Sequence, residues 1–278
     1  MWGFFYKISL LSGFLGRQNT ICSGSSPLVP RYIVYKKGSD VVKFYNQANY
    51  AHIPYPSANL PNATVKSGGC GVCASSNVLA FLGYDYPPEV LAPIFIEKKA
   101  RVNGGTNMYK AAQIIKEISG CILTTTDSEA EMKEWLETGG IAIANVDGDT
   151  GEKGIFSSAG HFINVIGTRG DKFVVFDVYY YANKFSSSYR KQFVTVEKDK
   201  EGNVIQICNA KALNIDTKNR TPNYYLFKRK EEDKVNIDEA IKILAEKGIM
   251  ETPEYWENAV SCVKYLDKLL IKIAEKIK

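Results

Sequence analysis

The stretch Lys66–Gly83, KSGGCGVCASSNVLAFLG, runs a glycine-rich turn directly into an apolar helix expected over Cys70–Leu82, with two cysteines three positions apart at its start. Three chemistries fit such a pair. A structural zinc site needs four Cys or His ligands, typically with a second close pair. The other cysteines, Cys22, Cys121, Cys208 and Cys262, are far apart and the only histidines are His52 and His161, so no metal is expected. A redox pair expects a strand leading into the motif within a βαβ unit, whereas the upstream YPSANLPNATVKSGG is rich in turn residues. The third chemistry is a nucleophile. Gly68, Gly69 and Gly71 let the backbone turn tightly and approach a substrate, and Cys70 falls at a helix N-terminus, where unpaired N–H groups favour a thiolate and can hold an oxyanion. Cys73, one turn further in, reads as a small buried residue. That Cys70 is also no more than core stays open, free cysteine being so often buried.

A thiolate in a hydrolase needs a base, and the base needs an acceptor to orient it. GHFINVIGTRGDKFVVFDV has the pattern of a β-hairpin, with His161 opening one strand and Asp177 closing the next. If the turn is centred on Arg169, the two residues stand opposite each other, where Cβ atoms are roughly 4.5–5.5 Å apart. A core histidine beside a strand-end aspartate is the bland alternative. His52, in NYAHIPYPS, lacks a comparable acid and reads as a loop residue. Gln47, in YNQANY, is a candidate second oxyanion donor through its side-chain amide; a surface glutamine is the alternative.

Around these residues the chain reads as α+β. Helices are expected at Cys70–Leu82, TNMYKAAQIIKEI and EAEMKEWLE, followed by strands at IAIANV, HFINVIGT, KFVVFDV and KQFVTVEK. Residues 1–40 read as an irregular lead-in and 41–230 as the main domain. Residues 231–278 read as a helical hairpin: Asn236 caps a helix with Glu239 reaching back, Ile237, Ala240, Ile241 and Leu244 line one face, and Gly248 ends it. Thr252 and Pro253 start a second helix with a stripe of Trp256, Val260, Val263, Leu270 and Ile273. Such a hairpin is near the lower size limit for folding alone and is a candidate assembly or homo-oligomerisation surface.

At 278 residues and 45% hydrophobic content the chain can bury a sizeable core. Its net charge of +5 comes from 35 scattered Lys and Arg residues. That distribution argues only weakly for nucleic acid, so no such partner is expected, and it fits any polyanionic surface, cell-wall teichoic acid included. Lys7 interrupts the apolar start MWGFFYKISLLSGFLG, which has no cationic lead and no small-residue cleavage site, so neither a membrane span nor a secretory signal is expected.

A Gln, then GGCGVCASSNVLAFLG, then GHFINVIG and the Asp of VVFDV resemble the papain-like cysteine peptidases related to the double-glycine leader peptidases of bacteriocin exporters. The resemblance covers residues 41–230 in outline. It implies a papain-like fold, with N-terminal helices packed on an antiparallel sheet. It also implies a site of Cys70, His161 and Asp177 with Gln47 at the oxyanion, and no cofactor. Val178 stands where the family usually has proline, and Cys73 where a small polar residue or alanine is common. The C-terminal AIKILAEKGIMETPEYWENAVSCVKYLDKLLIKIAEKI resembles helical segments ending phage lysins of Gram-positive, especially clostridial, hosts. Together the two resemblances imply a phage or prophage peptidoglycan hydrolase. It would be made in the bacterial cytoplasm and reach the wall through a holin-type lesion or on the virion. A protein-processing peptidase or peptidyl transferase, and an inactive virion structural protein, are the other expectations that stay open.

Overall fold

The computed structural model describes residues 32–37, 40–147, 154–198, 204–230, 237–251, 256 and 266–277. Strands β1 (Tyr32–Lys37) and β2 (Asp40–Tyr45) pair antiparallel, with Tyr32 across from Tyr45. The expected irregular lead-in therefore contains one arm of a hairpin, and the boundary at residue 40 cuts through it. The runs YIVY and VVKFY are β-branched and aromatic, which favours strands.

A short 3-10 turn, Gln47–Asn49, leads through a loop to α1 (Val65–Gly68), α2 (Cys70–Leu82) and α3 (Pro88–Glu97). Next come the two-residue strands β3 (Arg101–Val102) and β4 (Gly105–Thr106), α4 (Met108–Ser119), β5 (Ile122–Thr126), α5 (Glu129–Glu137), β6 (Ile141–Val146), β7 (His161–Arg169) and β8 (Lys172–Phe176). The remaining elements are α6 (Ser188–Lys191), β9 (Val194–Lys198), β10 (Val204–Asn209), α7 (Ala210–Thr217), β11 (Tyr224–Lys228), α8 (Ile237–Glu246) and α9 (Leu266–Ile277).

Seven strands form one sheet in the order β5-β11-β6-β7-β8-β10-β9, and every pairing in it is antiparallel. The chain is thus a mixed α+β protein built on a large antiparallel sheet. Helices and strands are not segregated as the sequence suggested, because α5 and α7 interrupt the run of strands.

Both faces of the sheet are covered, which is why its central strands read as unbroken apolar runs instead of alternating. Ile141 and Ile143 of β6, Ile166 of β7, Val174 and Phe176 of β8, and Ile205 and Ile207 of β10 pack with α2, α3 and α4. Ala142, Ala144, Val165, Phe173, Val175 and Cys208 point the other way, onto Met132 and Leu136 of α5 and Ala212 and Leu213 of α7. Helix α2 is the central element of the first layer. Apart from Ala80 every residue in it is buried, and it ends at Gly83, whose φ of +96° closes the helix in a conformation that side chains resist. Asn107 and Ser128 accept from backbone N–H groups three residues on and start α4 and α5.

Helices α8 and α9 share a separate small core of Ala240, Ile241, Leu244, Met250, Leu270 and Ala274, with Ile237 and Trp256 against it. Ile273, expected in this stripe, is instead 36% exposed; Ala274, one position on, takes the inward place. Gly248 has φ +67° beyond the end of α8, as a helix terminator should. Asn236, Thr252, Pro253, Val260 and Val263, and the side chain of Glu239, lie outside the described residues. Among the described residues no helix is long and apolar enough to cross a membrane.

Candidate active site

Cys70 is the first residue of α2 and 9% exposed, and its thiol meets His161, the residue that opens β7. The chain reaches Cys70 from α1 and a one-residue turn, not from a strand. The tight approach explains the glycines. A Cβ on Gly69 would lie 2.7 Å from the Val65 backbone oxygen, and one on Gly71 2.6 Å from Cβ of Thr106.

His161 opens β7 opposite Val146. Its Nε2 lies 2.9 Å from Oδ1 of Asp177, and both side chains are buried. The pairing differs from the expected one. The turn falls at Gly170–Asp171 with Arg169 across from Lys172, and the register shifts by one residue between Val165 and Gly167. Beyond that bulge Asn164 faces Phe176, so Asp177 continues opposite Ile163, two residues from His161 along β7. Histidine and aspartate are therefore diagonal neighbours, not a facing pair. The bulge matters because a one-residue shift exchanges the faces of everything beyond it; the regular register of the turn would have set the two side chains on opposite sides of the sheet.

With Nε2 on the carboxylate, Nδ1 is the ring nitrogen left for the sulfur. Burial would push the Cys70 thiol up; hydrogen bonding and charge from His161, joined by the N–H groups of Phe162 and Gly71, hold it below its ordinary value. Burial would likewise depress His161, yet its bonds to Asp177 and Cys70 raise it to about 9. Both directions favour one state, a thiolate beside an imidazolium. Cys73 has no such support. It is fully buried, and burial, followed by the Cys70 charge, pushes its thiol well up, as expected of a core residue.

Asp177 is held on every side. Its backbone N–H donates to Oε1 of Gln206 at 2.8 Å, and its Oδ1 accepts from the N–H of Tyr179 at 3.0 Å. Lys184 lies with Nζ 2.5 Å from Oδ2, its side chain 5% exposed. Against the burial that would raise it, the Lys184 charge and the His161 hydrogen bond keep the carboxyl well below the usual carboxylate range. Lys184 also donates to the Tyr179 carbonyl at 3.2 Å and lies about 6 Å from the rings of Tyr179, Tyr181 and Phe185. Nothing in the sequence singles it out, because the six residues separating it from Asp177 form an irregular loop.

Gln47 is buried, not on the surface. Its backbone N–H donates to the Val178 carbonyl at 2.6 Å and its Nε2 to the Lys66 carbonyl at 2.8 Å. The residue thus ties the chain after Asp177 to the turn before Cys70, and its amide has a second hydrogen to donate. Behind the site, Asn77 of α2 accepts from the Tyr45 N–H at 2.6 Å and donates to Oδ1 of Asn164 at 2.8 Å, while Asn164 donates to the Ala74 carbonyl at 3.1 Å. This buried chain pins α2 to β7 and β2. His52 stands apart from the site on an exposed turn, 4.0 Å from Glu89.

The four free cysteines of the described residues are Cys70, Cys73, Cys121 and Cys208; Cys22 and Cys262 lie outside them. Among the described residues no group of three or more His, Cys, Asp or Glu side chains gathers in the way a metal ion requires. Comparison with known proteins finds no matching family model, no matching curated protein and no matching solved structure.

Proposed function

We propose that this chain is a cysteine-peptidase-type hydrolase with a papain-like fold, and that it cleaves a peptide or amide bond of bacterial peptidoglycan as a phage or prophage lysin. Cys70 attacks the carbonyl carbon as the thiolate, and the free hydrogen of the Gln47 amide and the N–H of Cys70 hold the developing oxyanion. Collapse breaks the C–N bond, with the leaving amine taking its proton from His161. Water then gives a proton back to His161 as its oxygen attacks the thioester, and the carboxylic acid product departs with the thiolate restored. Asp177 fixes the ring and stabilises the imidazolium, and Lys184 fixes Asp177.

The observation that carries this reading is the buried line from Cys70 through His161 to the carboxylate of Asp177, the imidazole bonded at 2.9 Å. Its direction towards the wall rests on the net charge of +5, which suits an anionic polymer, and on the lysin-like C-terminal segment. The test is mass spectrometry of fragments released from purified clostridial-type cell walls by the wild type and by Cys70→Ala, with a plain peptide alongside. Release by the wild type alone supports the proposal. Cleavage of the peptide with intact walls moves the substrate to proteins, and no cleavage of either rejects the hydrolase.

A further inference from the structure

Arg101 of β3 is 9% exposed, yet among the described residues no carboxylate pairs with it. Its guanidinium lies over the Tyr55 ring, 4.5 Å from the centroid. Nε donates to the Tyr55 carbonyl at 2.9 Å, and Nη1 donates to the carbonyls of Val102 at 2.9 Å and Gly105 at 2.7 Å. Nη2 is buried with no acceptor. A buried cation satisfied on one side only is costly, and an incoming anion removes the cost.

The position of this group matters. Nη1 and Nη2 each lie 3.4 Å from where a Cβ on Gly68 would stand, two residues before Cys70. A side chain there would press on the Gly104 carbonyl, 3.2 Å from that Cβ, and on the guanidinium. Arg101 also lines an open cleft of about 370 Å³ with Asn59, Leu60, Asn62 and Ser67. Arg101 is the one charged residue of that lining, and its neighbours are amides, a hydroxyl and apolar groups. One fixed positive charge with amides around it suits a singly charged planar carboxylate better than a phosphate dianion.

We propose that this cleft is an anion subsite beside Cys70, which holds a carboxylate of a peptide-like substrate through the charge of the Arg101 guanidinium. The proposal deepens the hydrolase reading, on which it rests for what happens to the bound group, whereas the binding itself does not depend on that reading.

The test uses the full chain carrying Cys70→Ala, so that nothing is turned over, and follows the Arg101 Nε–H resonance by NMR. It is titrated with N-acetyl-alanyl-alanine and with the C-terminal amide of the same compound. The acid should shift the resonance saturably and the amide should bind at least about tenfold more weakly, as loss of a charge-assisted bond predicts. Arg101→Gln should abolish the preference, read on neighbouring backbone resonances. Because Arg101 also holds three carbonyls, Asn62→Glu on the exposed rim gives an independent arm: it supplies an internal carboxylate and should weaken the acid about tenfold in a folded protein. Equal shifts with acid and amide, or no shift with either, overturn the subsite. Iodoacetamide labelling of the wild-type chain separates the two claims. Selective labelling of Cys70 without an acid preference rejects the subsite alone, and an acid preference with an unreactive Cys70 keeps the subsite and rejects the nucleophile.

Discussion

Replacing Lys184 with methionine tests whether the carboxylate behind His161 depends on a second cation. Methionine keeps the stem among Tyr179, Tyr181 and Phe185 and removes only the ammonium that stands 2.5 Å from Oδ2 of Asp177. Asp177 is 0% exposed, so its charge cannot turn to water. Removing one partner of a buried pair costs about 3–5 kcal/mol, chiefly through the charge left behind. Here His161 and the Tyr179 N–H still hold Oδ1, which places the loss at the lower end, about 3 kcal/mol at neutral pH. Urea denaturation at constant slope measures it as a fall in midpoint. The pH dependence carries a sign. Because the folded Asp177 titrates below its ordinary value, its contribution is present above about pH 4 and fades as pH falls through the depressed value, so the gap between variant and wild type should narrow on acidification. A variant within about 0.5 kcal/mol of the wild type at pH 7, the scatter of ordinary surface changes, would refute the buried-pair argument.

Further outcomes follow from the same geometry. His161→Ala removes the group that overcomes burial at Cys70, so iodoacetamide labelling of Cys70 near pH 7 should slow at least about tenfold; an unchanged rate would show that the sulfur is not paired with the imidazole. The thiolate–imidazolium pair should bring the rise in wild-type labelling below the free-thiol value, with a second change as the His161 proton is lost near pH 9; a single rise at the free-thiol value would contradict this. The same raised histidine contributes stability that is complete below its ordinary value and is lost as pH rises through about 9. Asn164→Ala strands the Asn77 amide and the Ala74 carbonyl in the core, a loss of about 2–4 kcal/mol in denaturant titration. Gly71→Ala drives a Cβ to 2.6 Å from Thr106 and should destabilise the start of α2 by about 1–3 kcal/mol, lowering the thermal midpoint.

The helices that could be read from the sequence are those whose signals are local. The expected bounds of α2 and α5 coincide with the observed ones, and α4 starts inside its expected stretch and ends one residue beyond it, at Ser119. Their caps and stripes lie within a few residues of one another: Gly83 and Gly120 at the ends, Asn107 and Ser128 at the starts. Helix α3 escaped notice because Pro93 sits inside it. Strands β5, β10 and β11 were also not legible. Ile122–Thr126 is largely polar, and its place in the sheet is decided by β11, about a hundred residues away.

The candidate site divides along the same line. Sequence alone determined the residue types and their local settings: a cysteine after two glycines at a helix start, one histidine opening a strand, and an aspartate sixteen residues later. It also favoured a register with the two directly opposed, which the bulge at Val165–Gly167 replaces by a diagonal. Only the tertiary structure decided that Gln47 is buried between Val178 and Lys66, that Lys184 stands behind Asp177, and that Arg101 keeps an unpaired nitrogen beside the Cys70 turn. Spacing along a chain encodes contacts within one turn or one strand pair. Contacts between loops depend on how the sheet and α2 pack, and that is settled by the burial of side chains drawn from the whole chain.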